Sequence, residues 1–314
     1  MLAGLLTLAA CGSDGNESAG SPDTTPASET TSVPAVSDSA LESDATAASE
    51  SGDPSAPADA STTSPDKPAV ELPAELPTEL QVTELRAGSG PEAASGDLVV
   101  VHYVGVRSED GTEFDNSWDR GSPFTVVLGT GSVIAGWDQG LVGTQAGGRY
   151  QLDIPAELGY GDAGAGDIIQ PGDALSFVID VLAVGSPSAA EDQPEITSDV
   201  TSEGATEVTF DDLVVGSGEA AAEGDSVLID LIAFRGDTGE QVDSTWGTGG
   251  PFALVLAQDQ ALPGLVEGIV GMQPGGRRLI RIPSELAFGT EGSPDAGIPA
   301  GVDLVVVIDL TAAY

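Results

Sequence analysis

Apolar residues are spread unevenly along the 314 positions of this chain. Residues 12–78 are mostly Ser, Thr, Ala, Pro, Asp and Glu, with no aromatic side chain. Such a stretch cannot bury enough apolar surface to offset the entropy lost on ordering, so it is expected to be a disordered tether. Beyond it the pattern changes to short alternating runs. Val99, Val101 and Tyr103 alternate with Val100, His102 and Val104, and 124–128, 150–154 and 175–182 are further runs of strand length. One segment breaks the period of two. Val133, Ile134, Trp137 and Leu141 are spaced three and four apart and share one face of a helix of about two turns. Several antiparallel strands wrapped around one short helix make an α+β domain, and the space between helix and sheet is the candidate pocket.

The pattern occurs twice. Ala87-Gly88-Ser89-Gly90 returns as Val215-Gly216-Ser217-Gly218, and Asp115, Trp118, Pro123 and Phe124 return as Asp243, Trp246, Pro251 and Phe252. Ile154-Pro155 returns as Ile282-Pro283, and each of these pairs lies 128 positions apart. A shared register of that length predicts two homologous domains, 79–186 and 207–314, joined by a polar, acidic linker at 187–206.

Charge narrows the function classes. Asp and Glu outnumber Lys and Arg 51 to 9, a formal charge of -42, which repels nucleic acid and anionic membrane surfaces. The single cysteine, Cys11, rules out an internal disulfide framework and any multi-cysteine metal centre. Its setting is informative: Leu8-Ala9-Ala10-Cys11-Gly12 resembles the lipobox of bacterial lipoproteins. That resemblance implies a signal peptide at 1–11, a membrane lipid anchor on Cys11 and an extracytoplasmic location. No Lys or Arg precedes Lys67, as expected of a start placed inside a longer signal peptide.

A second resemblance is more specific. Val101-His102-Tyr103-Val104-Gly105, the run 110–117, Pro123-Phe124, Leu128-Gly129, Val133-Ile134, Gly136-Trp137, Gly147-Gly148-Arg149, Ile154-Pro155, Gly159-Tyr160-Gly161 and Ile168-Ile169 resemble the FKBP-type peptidyl-prolyl cis-trans isomerases in order and spacing. The resemblance covers essentially all of the first domain. It implies a ligand pocket of Tyr103, Phe114, Asp115, Arg120, Phe124, Val133, Ile134, Trp137, Tyr160, Ile169 and Phe177, with no metal and no cofactor. It further implies proline-containing peptide or protein clients, and macrolides of the rapamycin type, as binding partners. Tyr103, Asp115 and Tyr160 would bear on the reacting amide. The Tyr160 hydroxyl and the Ile169 backbone N–H would grip peptide carbonyls. Ala165 and Ser132 depart from the family's usual residues at the pocket edge.

The physics is compatible with that implication. Rotation about an X-Pro amide is opposed by about 18–20 kcal/mol of lost resonance, and the twisted amide is less polar than the planar one. An apolar hollow therefore stabilises the twisted state differentially, without a nucleophile. In the second domain Tyr103, Phe114, Arg120, Trp137, Tyr160 and Phe177 are replaced by Leu231, Val242, Thr248, Leu265, Phe288 and Val306. Asp243, Phe252, Leu262 and Ile298 keep the pocket character, with Phe288 beside them, and little or no isomerase activity is expected there. His102, Asp153 and Asp180 are expected to face solvent from the sheet, and Arg277, Arg278 and Arg281 to form a solvated strand face or pair with acids. Two rival readings remain: a non-catalytic peptide-binding chaperone, and a surface lipoprotein using the fold as a spacer.

Overall fold

The computed structural model describes residues 67–314. Cys11 and the expected signal peptide at 1–11 lie outside the described residues, as does most of the expected tether.

The first domain is one sheet in the order β1-β5-β6-β2, with β3 and β4 both pairing to β2 at its outer edge. The strands are β1 (Gln81–Arg86), β2 (Leu98–Arg107), β3 (Glu113–Asn116), β4 (Phe124–Val127), β5 (Arg149–Ile154) and β6 (Leu175–Gly185). All pairings are antiparallel. The helix α1 (Ala135–Gly140) lies on one face. It approaches β5 closely because Gly136 and Gly140 face it: a Cβ on Gly136 would stand 2.5 Å from Ile154, and one on Gly140 2.7 Å from Leu152. The Asp138 carboxylate accepts from the N–H groups of Gly129 and Gly131, tying the loop before the helix to the helix itself.

The second domain repeats this plan with β7 (Thr209–Val214), β8 (Ser226–Arg235), β9 (Gln241–Ser244), β10 (Phe252–Val255), α2 (Pro263–Ile269), β11 (Arg277–Ile282) and β12 (Leu304–Ala313). Two antiparallel sheets, each with one helix, are the α+β domains the periodicity predicts.

The boundaries differ from the expectation. The tether was expected to run to residue 78, yet 67–78 packs against the face of the first sheet opposite α1. The Gln151 side chain donates to the Glu71 carbonyl at 2.8 Å, and Leu72 lies against Gly111. The expected linker does the same for the second sheet. Arg281 donates to the Asp199 carbonyl at 2.9 Å, Val200 lies against Gly239, and Ile196 and Val200 cover Trp246, Ile232 and Val305. Glu71 and Asp199 are again 128 positions apart, so each strap belongs to its own repeat.

Three residues sit in surroundings other than the expected solvent. Asp153 and Asp180 do face away from the helix, as alternation requires, but they are buried instead of solvated. Asp180 receives Arg149 through two bonds of 2.7 Å, and Asp153 accepts from Ser176 and Gln151. His102 is half-buried, stacked on Trp118 at 4.3 Å and bonded through Nδ1 to Ser117 Oγ at 2.8 Å. Burial pulls its pKa down, partly opposed by the charge of Asp180. The arginines pair with acids: Arg277 with Asp309, Arg278 with Asp212 and Arg281 with Asp211.

Candidate active site

Between α1 and the inner face of the first sheet lies a cavity of about 260 Å³ lined by Tyr103, Phe114, Asp115, Phe124, Ser132, Val133, Ile134, Trp137, Tyr160 and Phe177. Its floor is Trp137, carried by α1 and only 4 % exposed. The indole meets three rings edge-on, Tyr103 at 5.1 Å, Phe177 at 5.4 Å and Phe124 at 6.1 Å between centroids. Phe114 stands edge-on to Phe177 at 5.6 Å and extends the wall. Edge-to-face packing places positive ring edges against negative ring faces, which fixes the walls more firmly than aliphatic contacts would. Gly105 on β2 makes room for them, since a Cβ there would stand 2.6 Å from Phe177 and 2.8 Å from Phe114.

One wall is polar. The Tyr103 hydroxyl donates to Asp115 at 2.5 Å and accepts from Arg120 at 2.8 Å, while Arg120 also donates to the other Asp115 oxygen. The guanidinium lies 5.5 Å from the Tyr103 ring centre. This closed triangle holds the carboxylate at the cavity mouth with its charge balanced. The Tyr103 pKa is pushed up to about 12, first by burial and then by the bond to Asp115, with Arg120 opposing. Tyr160, 41 % exposed at the rim, is also raised, by burial and by the charge of Asp115. Both hydroxyls therefore stay protonated near neutral pH.

Ten of the eleven expected pocket residues thus converge on one hollow: nine line it, and Arg120 holds its rim through Asp115 and Tyr103. Ile169 packs in the surrounding core and lines an adjoining groove that shares Phe114 and Asp115 with the pocket. Its assigned bond needs correction. The Ile169 N–H already donates to the Ala165 carbonyl at 3.1 Å, in a small bridge that Ala165 N–H closes at 2.9 Å. Ile134 lines the cavity and caps the start of α1, a position where a backbone donor has no partner within the helix. A helix start beside an apolar pocket is the signal by which the sequence could have identified it.

A family model described as FKBP-type peptidyl-prolyl cis-trans isomerase matches residues 90–182 and again 217–311, together more than half of the chain. The chain belongs to the FKBP-type peptidyl-prolyl cis-trans isomerase family. An FK506-binding protein of Streptomyces anulatus is 51 % identical over 121 residues, 38 % of this chain and 98 % of that protein. The peptidyl-prolyl cis-trans isomerase FKBP9 of Mus musculus is 35 % identical over 217 residues, 69 % of this chain and 35 % of that protein. A crystal structure of FkpA from Escherichia coli, 39 % identical, covers 38 % of this chain and 53 % of its own, with a TM-score of 0.32.

The second FKBP domain has the frame without the triangle. Leu262, Leu265 and Ile298 are buried in its core, with Phe252 and Phe288 partly buried against them. Leu231 and Thr248 replace the hydroxyl and the guanidinium, and Asp243 accepts from the Ser244 N–H at 2.9 Å. Ala233 stands where the first domain has Gly105, and Val242 and Val306 where it has Phe114 and Phe177. The extra methyl and the two smaller walls are a matched exchange.

Proposed function

We propose that the first FKBP domain catalyses cis-trans isomerisation of X-Pro bonds in extracytoplasmic client proteins, and that the second turns over little or nothing. The observation that carries this reading is the aromatic hollow floored by Trp137 and bounded on one side by the Tyr103–Asp115–Arg120 triangle. The prolyl ring seats on the indole between Phe124 and Phe177. Water leaves, and the amide, whose carbonyl loses polarity as it twists, is less disfavoured than in solution. The Ile134 N–H and the Tyr160 hydroxyl orient the neighbouring peptide carbonyls. Asp115 acts electrostatically on the amide it faces. Two bonds from phenolic and cationic donors hold it in place.

The same hollow suits macrolides of the rapamycin type. A lipid on Cys11 would hold the enzyme at the membrane, a proposal supported by the sequence around that residue. It is tested by comparing the membrane fraction of the full chain with that of Cys11→Ser. Catalysis is tested on the full chain with an X-Pro peptide. Asp115→Ala should lower kcat/KM by about ten- to a hundredfold, the worth of a hydrogen bond to a charged group. Phe252→Ala in the second domain should leave it unchanged. An inert wild-type chain, or equal losses from both substitutions, overturns the assignment.

A further inference from the structure

The segment from Glu113 to Arg120 carries Asp115 and Arg120, and beyond β3 it is tied to β2 at Ser117, whose N–H donates to the Tyr103 carbonyl at 3.0 Å and whose Oγ accepts from the Tyr103 N–H at 2.8 Å. The strand β3 pairs with β2 through three residue pairs only, Val104 with Asn116, Gly105 with Asp115 and Val106 with Glu113, and the register slips within them. Such an edge does not by itself fix a side chain to the tolerance a reacting site needs. On the face opposite the pocket, however, the segment meets the strap. Lys67 Nζ donates to Glu113 Oε1 at 2.9 Å and to Asp119 Oδ2 at 3.0 Å. Asn116 Nδ2 donates to the same two oxygens at 2.7 and 2.8 Å, and its own carbonyl accepts from the Asp119 N–H at 2.7 Å.

Lys67 is the only lysine in the sequence, and its side chain is 11 % exposed. Two carboxylates converge on its ammonium. Removing that charge leaves them facing each other across a turn that Asn116 alone would hold. The second domain supports the comparison, because its strap grips the same turn with a neutral amide. Gln193 Nε2 donates to Gln241 at 3.0 Å, and Ser244 Oγ donates to Gln193 at 2.7 Å. Gln241 and Ser244 occupy the positions of Glu113 and Asn116. In both straps the gripping residue precedes a proline, Lys67-Pro68 and Gln193-Pro194, which restricts the backbone that presents it. The charged form of the clamp accompanies the domain that has the triangle.

We infer that Lys67 is a positioning residue for the isomerase site: from the back of the sheet it holds the Glu113–Arg120 segment in the arrangement that presents Asp115 and Arg120 to substrate. This rests on the function proposed above for the first domain. Without the clamp the segment samples other arrangements, and substrate must select the competent one. The apparent affinity then falls by the reciprocal of the competent fraction, while the bound complex reacts as before.

The test uses the full chain with Lys67→Met and Lys67→Arg. Lys67→Met should raise KM for an X-Pro peptide by about three- to tenfold with kcat within about twofold, for a competent fraction of roughly a tenth to a third. Amide hydrogen exchange at 113–120 should accelerate while the rest of the first domain is unchanged. Lys67→Arg, which keeps charge and donors, should restore both readouts to within about twofold of the wild type. A fall in kcat at constant KM with faster exchange throughout the domain marks a general loss of folding and overturns the inference. Unchanged KM and unchanged exchange in Lys67→Met overturn it equally. If the wild-type chain turns over no peptide, the proposed function fails, and exchange at 113–120 decides the clamp alone: local acceleration supports it and its absence overturns it.

Discussion

Replacing Trp137 by leucine transplants into the first domain the floor that the second already has in Leu265. The indole is 4 % exposed and meets Tyr103, Phe177 and Phe124 edge-on. Edge-to-face pairs contribute about 0.5–1.5 kcal/mol each beyond burial, and leucine recovers part of the area. The domain should therefore lose about 2–3 kcal/mol of stability, within the range for large-to-small core changes. The effect on rotation has a different origin. A prolyl ring resting on the indole covers roughly 80 Å² of apolar surface, which at about 25 cal/mol per Å² is about 2 kcal/mol. At 1.36 kcal/mol per tenfold, losing that surface in the transition state lowers kcat/KM by up to about thirtyfold, less what leucine recovers. Urea unfolding gives the first quantity, and a protease-free X-Pro isomerisation assay on folded protein gives the second. A folded Trp137→Leu chain with wild-type kcat/KM would refute the indole floor as the seat of the proline.

Two further outcomes follow from the same walls. Gly105→Ala should drive a methyl into Phe177 and Phe114, destabilise the domain by about 1–3 kcal/mol and reduce turnover. Adding both Phe114→Val and Phe177→Val, as in the second domain, should restore stability by urea unfolding but not activity. At alkaline pH, the raised pKa of Tyr103, about 12 against an ordinary 10.0, contributes stability that is fully present below pH 10 and lost as pH rises toward 12, because the unfolded chain gives up the proton first. Urea midpoints from pH 9 to 12 should fall less steeply for Tyr103→Phe than for the wild type, and identical slopes would contradict the buried, bonded hydroxyl.

Much of this site was legible because an aromatic pocket leaves a pattern. Tyr103 sits on an alternating strand, Trp137 on a helical period, and Phe114 and Phe124 in runs that the repeat marks out by 128 positions. The straps were not legible, for a physical reason. They attach through backbone carbonyls of Glu71 and Asp199 and through single side chains such as Lys67 and Gln193, none of which produces hydrophobic periodicity. Their composition matches that of a solvated linker. Asp153, Asp180 and His102 were misplaced because side-chain partners such as Ser176, Arg149 and Trp118 leave no periodic signal either. Alternation assigned the face of the sheet and could not show which side chains cover these residues there. The Ile134 N–H escaped notice because a backbone donor ahead of a helix has no residue type of its own. It becomes visible once α1 is known to begin at Ala135.

The three tryptophans give the most direct measurement. Trp137 lies in the pocket, Trp118 stacks on His102 outside it, and Trp246 packs beneath the second strap. In a nitrogen-15 spectrum of the full chain each indole N–H gives its own signal. Titration with an X-Pro peptide should shift the Trp137 signal, leave those of Trp118 and Trp246 in place, and produce exchange between the cis and trans forms of the peptide. Peptide exchange with an unmoved Trp137 signal, or a shift centred on Trp246, would contradict a first-domain pocket as the place where the prolyl bond turns.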